Sequence, residues 1–229
     1  TQNQKQEENH YPYYKEELQR RYLEYQKKFH DKSEEEIITN VNLNLDYPFY
    51  THTIEATKQN EVTILVNKYR YLEDDFVPDN LEEISDEYSK GGIYLVKEAK
   101  DNFMRLVDDA KKGGYTIRAI SSYRGYTYQK NLYERYLQQD GEEVADTYSA
   151  RPGFSDHQPG LSVDVDNGNL GYEQFDNTEE FKWMMNNASN YGFILRYPKG
   201  KEEITGYQYE SWHYRYVGIE LAKKIKASN

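Results

Sequence analysis

Between Ser155 and Asp166 the chain reads Ser-Asp-His-Gln-Pro-Gly-Leu-Ser-Val-Asp-Val-Asp, and no other stretch constrains the fold as much. Leu161, Val163 and Val165 alternate with Ser162, Asp164 and Asp166, the period of a strand with one apolar and one polar face. Asp164 therefore points away from the core. Gly160 permits a tight bend between His157 and this strand, which turns the Asp164 carboxylate back toward the imidazole. Further on, Glu210-Ser211-Trp212-His213-Tyr214-Arg215 brings a second imidazole with a carboxylate three positions before it. Two imidazoles and two carboxylates are the donor inventory of a catalytic metal site, in which three protein groups hold the ion and a fourth position stays open. On spacing alone, His157 is equally well a satisfied core histidine.

Composition narrows the alternatives. The chain has no cysteine, so disulfides, thiol catalysis and thiolate metal sites are excluded, and any metal must be held by His, Asp or Glu. A net charge of −11 over 229 residues argues against nucleic acid as a partner, because phosphate-backbone binding relies on clustered Lys and Arg. The length suits one catalytic domain with an appendage. No apolar run is long enough to span a bilayer, and a membrane anchor or signal peptide is expected ahead of Thr1.

Along the chain, residues 1–10 are polar and aperiodic and are expected to form a tether. From Pro12 a helix is predicted, with Tyr14, Leu18, Tyr22, Tyr25 and Phe29 on one face that must pack on something. Ser33 followed by Glu34–Glu36 signals a second helix start. Short strands are predicted between Val41 and Asn67, and a long acidic loop from Asp74 to Ser89. A helix is predicted over Ile93–Lys112, ended by Gly113-Gly114, and a strand over Tyr115–Ser121. Helices follow over about residues 126–139 and 142–147. Thr178 caps another helix, Phe193-Ile194-Leu195 and Trp212–Tyr216 read as strands, and Gly218–Ala227 as a closing helix. The mixture lacks βαβ regularity. It points to an α+β domain, a small and largely antiparallel sheet flanked by helices, with an extra N-terminal helix. The expected division is residues 1–59 as tether, helix and lead-in strands, and 60–229 as the catalytic domain.

The pattern Ser155-x-His157-x-x-Gly160-x-x-x-Asp164, followed by Glu210-x-x-His213, resembles the zinc D-alanyl-D-alanine and L,D-carboxypeptidases of bacterial cell-wall metabolism, the VanY and LdcB type. Two upstream runs extend it. Ser121-Ser122-Tyr123-Arg124-Gly125-Tyr126-x-Tyr128-Gln129 is similar to that family's substrate-binding strand and turn, and Ser149-Ala150-Arg151-Pro152-Gly153 to the run before its first zinc ligand. The resemblance covers roughly residues 60–227. Ser211 departs from it, standing where proline is more usual.

The resemblance implies Zn2+ held by His157, Asp164 and His213, with Glu210 as general base. It implies Arg124 gripping the scissile carbonyl, and Gln129 and Ser155 meeting the terminal carboxylate of the substrate. Tyr123 and Trp212 are expected to pack behind Arg124 and His213. Arg151 and Arg215 read as structural partners of acidic neighbours, and His10, His30 and His52 receive no role. The expected function is removal of the C-terminal D-alanine from peptidoglycan stem peptides, leaning to L,D cleavage of tetrapeptides over D,D cleavage of pentapeptides. The expected setting is a monomer acting outside the cytoplasmic membrane. The alternatives are a peptidoglycan endopeptidase and a non-catalytic zinc-binding module that binds wall or protein partners.

Overall fold

The structure, a computed structural model, describes residues 11–228 and divides the chain into two compact units, Thr1–His52 and Thr53–Asn229. The expected tether over residues 1–10 lies outside the described residues.

The first unit is a pair of short helices, α1 (Gln19–Lys28) and α2 (Glu34–Asn42), with a 3₁₀ turn at Glu16–Leu18 before α1. Ser33 closes a capping box: its hydroxyl accepts from the Glu36 amide at 3.2 Å and the Glu36 carboxylate accepts from the Ser33 amide at 2.8 Å. Two of the predicted face residues, Tyr22 and Tyr25, are buried against Ile37, Ile38 and Val41, while Tyr14 and Leu18 pack at the edge. The strand predicted from Val41 is not formed. Once the box starts α2, the spacing of Ile37, Ile38 and Val41 carries it to Asn42, and Leu43 and Leu45 fall in the turns beyond.

The second unit is built on a four-stranded antiparallel sheet. Its strands are β5 (Arg118–Ser121), β6 (Ser162–Asp166), β7 (Phe193–Tyr197) and β8 (Glu210–Tyr216), in the spatial order β5-β6-β8-β7. Two smaller pairs precede it in sequence. The two-residue strands β1 (Ile54–Glu55) and β2 (Arg70–Tyr71) run parallel, and β3 (Leu81–Ile84) and β4 (Ile93–Val96) run antiparallel. The helices of this unit are α3 (Lys97–Lys112), α4 (Tyr126–Asp140), α5 (Glu142–Tyr148), α6 (Glu179–Asn187), the single turn α7 (Glu202–Thr205) and the closing α8 (Ile219–Ser228). The α+β expectation holds.

Two predicted elements differ. Part of the acidic segment is strand β3, and the first four residues of the predicted helix at Ile93 are its partner β4, because Ile93 and Leu95 are buried at a strand's period of two. The helix proper starts at Lys97, and its face of Ala99, Phe103, Leu106, Val107 and Ala110 is buried as predicted. The apolar run Val62–Val66 forms a turn at Val62-Thr63 and then irregular backbone rather than a strand, although Ile64 and Val66 are buried.

The core and the site lie on opposite faces of the sheet. Val163, Val165, Phe193, Tyr214 and Tyr216 join the apolar face of α3 in one core, with the Phe103 and Phe193 rings in edge-to-face contact at 6.0 Å. Ser162, Asp164, His213 and Arg215 occupy the other face. That face is polar as predicted, but it is not open to water: all five residues of β6 are buried. Gly160 adopts φ +69°, and a Cβ there would come within 2.8 Å of Leu81 Cδ2 and 3.1 Å of Pro78 Cγ, so this bend depends on glycine.

Candidate active site

His157, Asp164 and His213, separated by up to fifty-six positions in sequence, are brought together with one donor atom from each within 4.8 Å of the others. Asp164 and His213 are direct register partners across β6 and β8, and Ser121 of β5 pairs with Asp164 on its other side. His157 arrives on the turn ahead of Gly160. All three side chains are buried.

A hydrogen bond decides which ring nitrogen His157 presents. His157 Nδ1 lies 2.8 Å from the Ser122 carbonyl oxygen, a partner that can only accept, so Nδ1 carries the hydrogen and Nε2 faces Asp164 Oδ2 at 3.5 Å. His213 uses the opposite arrangement. Its Nε2 meets Asp156 Oδ2 at 3.0 Å, and its Nδ1 faces Asp164 Oδ1 at 3.6 Å and Glu210 Oε2 at 3.0 Å. A tetrahedral ion with ligand bonds of about 2.0–2.1 Å separates its ligand atoms by roughly 3.3 Å, close to the spacings between Asp164 and the two rings. Asp164 Oδ1 is buried with no hydrogen-bond partner, which costs free energy unless something cationic satisfies it. The donor set of two imidazoles and one carboxylate, with an orphaned buried oxygen among them, fits a divalent ion of the zinc type.

The electrostatics agree. Burial pushes the Asp164 carboxyl up to about 6 against the pull of His213 and Arg124. Burial, then the charges of Arg124 and His213, holds His157 well below its ordinary value, so it is a neutral imidazole ready to ligate. For His213 burial acts downward, but its hydrogen bonds to Asp156 and Glu210 prevail and raise it to about 9.

Glu210 and His213 are three apart, and in a regular strand their side chains would point to opposite faces. Register shifts here: Leu195 pairs with Tyr214 and Tyr197 with Glu210, so two steps along β7 match four along β8. This irregularity at the mouth of the site lets the Glu210 carboxylate reach His213.

The triad opens into a cleft of about 420 Å³ whose walls include Arg124, Gln129, Ser155 and Glu210. Arg124 precedes α4 and is tied to the metal turn by its amide, which donates to the His157 carbonyl at 3.3 Å; its Nε is buried without a partner. The Ser155 hydroxyl accepts from the His157 amide at 3.2 Å, which leaves its own hydrogen to donate. Gln129 is buried on α4; its Nε2 donates to the Ala150 carbonyl at 2.8 Å and makes a longer, 3.4 Å contact to Ser149 Oγ. Trp212 lines the cleft against Tyr172 at 5.0 Å rather than packing behind His213, whose ring is covered edge-on by Tyr197 at 4.8 Å. Tyr123 donates its amide to the Tyr94 carbonyl. Arg151 pairs with Asp146 at 2.8 Å and Arg215 with Asp156 at 2.7 Å, both as structural partners. His52 stacks on Tyr47 in the first unit, His30 is exposed, and His10 lies outside the described residues.

Asp156 receives no role from the sequence. It is buried between Ser155 and His157 and accepts from His213, Arg215 and Ser162 Oγ at 3.0, 2.7 and 2.5 Å, with Arg196 3.5 Å away. Burial acts to raise its carboxyl, but the charges of Arg215 and Arg196 hold it well below the usual carboxylate range. The one sequence signal for this cluster is the period of two that puts Arg215 on the same strand face as His213.

Comparison with known proteins gives a consistent relationship. The chain is 42% identical over 172 residues to a putative carboxypeptidase, YodJ, of Bacillus subtilis (strain 168), an alignment that takes in 72% of this chain and 63% of that protein. The chain thus spans less than two thirds of the length of this relative. The solved structure of the LdcB LD-carboxypeptidase superposes with a TM-score of 0.72 at 39% identity, over 78% of this chain and 86% of that one. A mutant of the vancomycin-resistance D,D-pentapeptidase VanY, solved in complex with Zn(II), superposes with a TM-score of 0.62 at 32% identity, over 73% of this chain and 94% of that one. Residues 92–219, which carry every strand of the main sheet together with His157, Asp164, Glu210 and His213, match the family model described as VanY, D-alanyl-D-alanine carboxypeptidase, and the chain belongs to that family.

Proposed function

We propose that this protein is a zinc-dependent carboxypeptidase that removes the C-terminal D-alanine from peptidoglycan stem peptides. The observation that carries the reading is the convergence of His157 Nε2 and His213 Nδ1 on the Asp164 carboxylate, one oxygen of which has no hydrogen-bond partner, with the Glu210 carboxylate beside them. His157, Asp164 and His213 would hold the ion. When bound, zinc lowers the pKa of a water from about 15.7 to about 7 and polarises a carbonyl oxygen.

The chain's own groups supply the rest. Glu210 stays outside the ligand set, so its carboxylate takes a proton from the attacking water and returns it to the leaving amine. Arg124, in the wall of the same cleft, supplies a cation for the scissile carbonyl oxygen as negative charge develops on it. Ser155 donates its hydroxyl hydrogen to the substrate's terminal carboxylate, and Gln129 reaches the same group with the hydrogen that makes its longer contact to Ser149.

Within this activity we favour the L,D bond of a tetrapeptide over the D,D bond of a pentapeptide. The combination of Arg124, Gln129 and Ser155 and the superposition on LdcB support that choice. Its setting would be the cell envelope, outside the cytoplasmic membrane. Among the described residues no helix is long and apolar enough to cross a membrane. Mass spectrometry of defined stem peptides incubated with the purified zinc-loaded protein tests the reading. Loss of one D-alanine from the tetrapeptide is expected; loss from pentapeptide alone overturns the L,D preference, and solubilisation of intact sacculi with neither peptide trimmed overturns carboxypeptidase action in favour of an endopeptidase.

A further inference from the structure

We infer that Asp156 is a positioning residue for the metal site: it fixes the tautomer of His213 so that Nδ1 is presented to the ion, and Arg215 fixes Asp156 in turn. The inference rests on the metal-site reading above and concerns a residue outside the ligand set and outside the general base.

Asp156 Oδ2 lies 3.0 Å from His213 Nε2 and 2.5 Å from Ser162 Oγ, while Oδ1 lies 2.7 Å from Arg215 Nη1. The whole carboxylate is buried, so each of these bonds forms in a low-dielectric setting where misalignment is costly. Arg215 is buried as well, and its Nη2 donates to the Val62 and Ile64 carbonyls at 3.2 and 2.6 Å. The result is a continuous chain of contacts from the segment 62–64, through Arg215 and Asp156, to the ring of His213. The segment 62–64 precedes the matched family region, residues 92–219.

The chemistry follows from the donor inventory. An imidazole that ligates through Nδ1 must carry its hydrogen on Nε2, and a buried acceptor at Nε2 favours that form even though Glu210 offers a competing acceptor to Nδ1 at 3.0 Å. A carboxylate accepts at both oxygens, so Asp156 receives His213 on one and Arg215 on the other without conflict. An asparagine cannot do this. Arg215 can only donate, so in Asp156→Asn the new side chain would turn its carbonyl to Arg215 and its amide nitrogen to His213 Nε2. That favours the hydrogen on Nδ1, where it blocks the ligand position. Partners that orient a ligating histidine in this way are worth about 10- to 100-fold in metal affinity.

The test uses the full chain and zinc. For Asp156→Asn, titration of the metal-free protein with zinc is expected to show affinity roughly 10- to 100-fold below wild type, with the far-UV circular dichroism unchanged. The cobalt(II)-loaded variant should also show a visible spectrum altered from wild type, a readout that a general loss of stability does not produce. Wild-type zinc affinity together with a wild-type cobalt spectrum overturns the proposal. A second measurement needs no variant: nitrogen-15 NMR of the zinc-loaded wild type should find a slowly exchanging hydrogen on His213 Nε2 and a metal-shifted Nδ1. The reverse assignment overturns the role of Asp156 while leaving the metal site standing, whereas a wild type that binds no zinc overturns both.

Discussion

Asp164 and His213 face each other directly across β6 and β8, so two of the three candidate ligands are set by the register of a single strand pair. A slip of one residue would turn either side chain to the apolar face of the sheet. The prediction is that Asp164→Asn folds but no longer retains a metal ion. Asparagine keeps the shape and removes the charge that balances the ion. Elemental analysis of the gently purified variant should find it essentially metal-free where the wild type carries about one zinc per chain. Full occupancy in the variant would remove Asp164 from the ligand set.

Glu210 sits 3.0 Å from His213 Nδ1 without belonging to the metal triad. For Glu210→Gln the metal content should match wild type, while release of D-alanine from stem peptides slows by at least about 10²-fold, the lower end for loss of a general base. Peptide hydrolysis followed by mass spectrometry, alongside elemental analysis, checks both halves. An unchanged rate would exclude Glu210 from the proton transfers.

The pH dependence of metal binding follows from the ion-free pKa values. His213, raised to about 9, is above its unfolded value, so its protonated form stabilises the ion-free fold at low pH and that contribution is lost as pH rises through about 9. Asp164, pushed up to about 6, is likewise neutral at low pH. An ion needs both groups deprotonated. Binding at pH 7 should therefore expel about one proton, from His213, and binding at pH 5 should expel about two, the second from Asp164. Calorimetric titration in buffers of different ionisation enthalpy reads this number directly, and affinity should fall as pH is lowered. Heat independent of buffer at pH 7 would contradict the His213 assignment, and no further release at pH 5 would contradict that of Asp164.

Ser33 tests the separateness of the N-terminal pair of helices. Ser33→Ala removes one half of the capping box and should cost about 1 kcal/mol in the stability of α2. Hydrogen exchange should show faster opening confined to residues of the first unit, with hydrolysis of stem peptides unaltered. A matching loss of protection in the main sheet would show that the two units unfold together.

Much of the site is legible as pattern. The alternation from Leu161 to Asp166 identifies β6 and puts Asp164 on its polar face, Thr178 caps a helix as its side chain suggests, and the apolar face of α3 follows from residue spacing. These signals are local, set by periods of two and 3.6 residues and by caps that bond within one turn. Where a more distant partner competes with them, pattern misleads: Ile93–Val96 is a strand because Leu81–Ile84 lies beside it. Where two local signals compete, the stronger wins: Val41 is helical because the capping box of Ser33 and Glu36 starts α2.

Residue types and local periods alone establish which chemical groups are present, that a metal could be held only by His, Asp or Glu, and that Asp164 stands on a strand's polar face. How those groups meet is a matter of tertiary structure. The register of β6 on β8 sets Asp164 against His213, the irregular pairing of β7 with β8 swings Glu210 to the same side, and the buried contacts of Ser122 and Asp156 fall on opposite nitrogens of the two histidines. Strand register and buried hydrogen-bond partners are settled by residues far apart in the chain, so no local period of the sequence carries them.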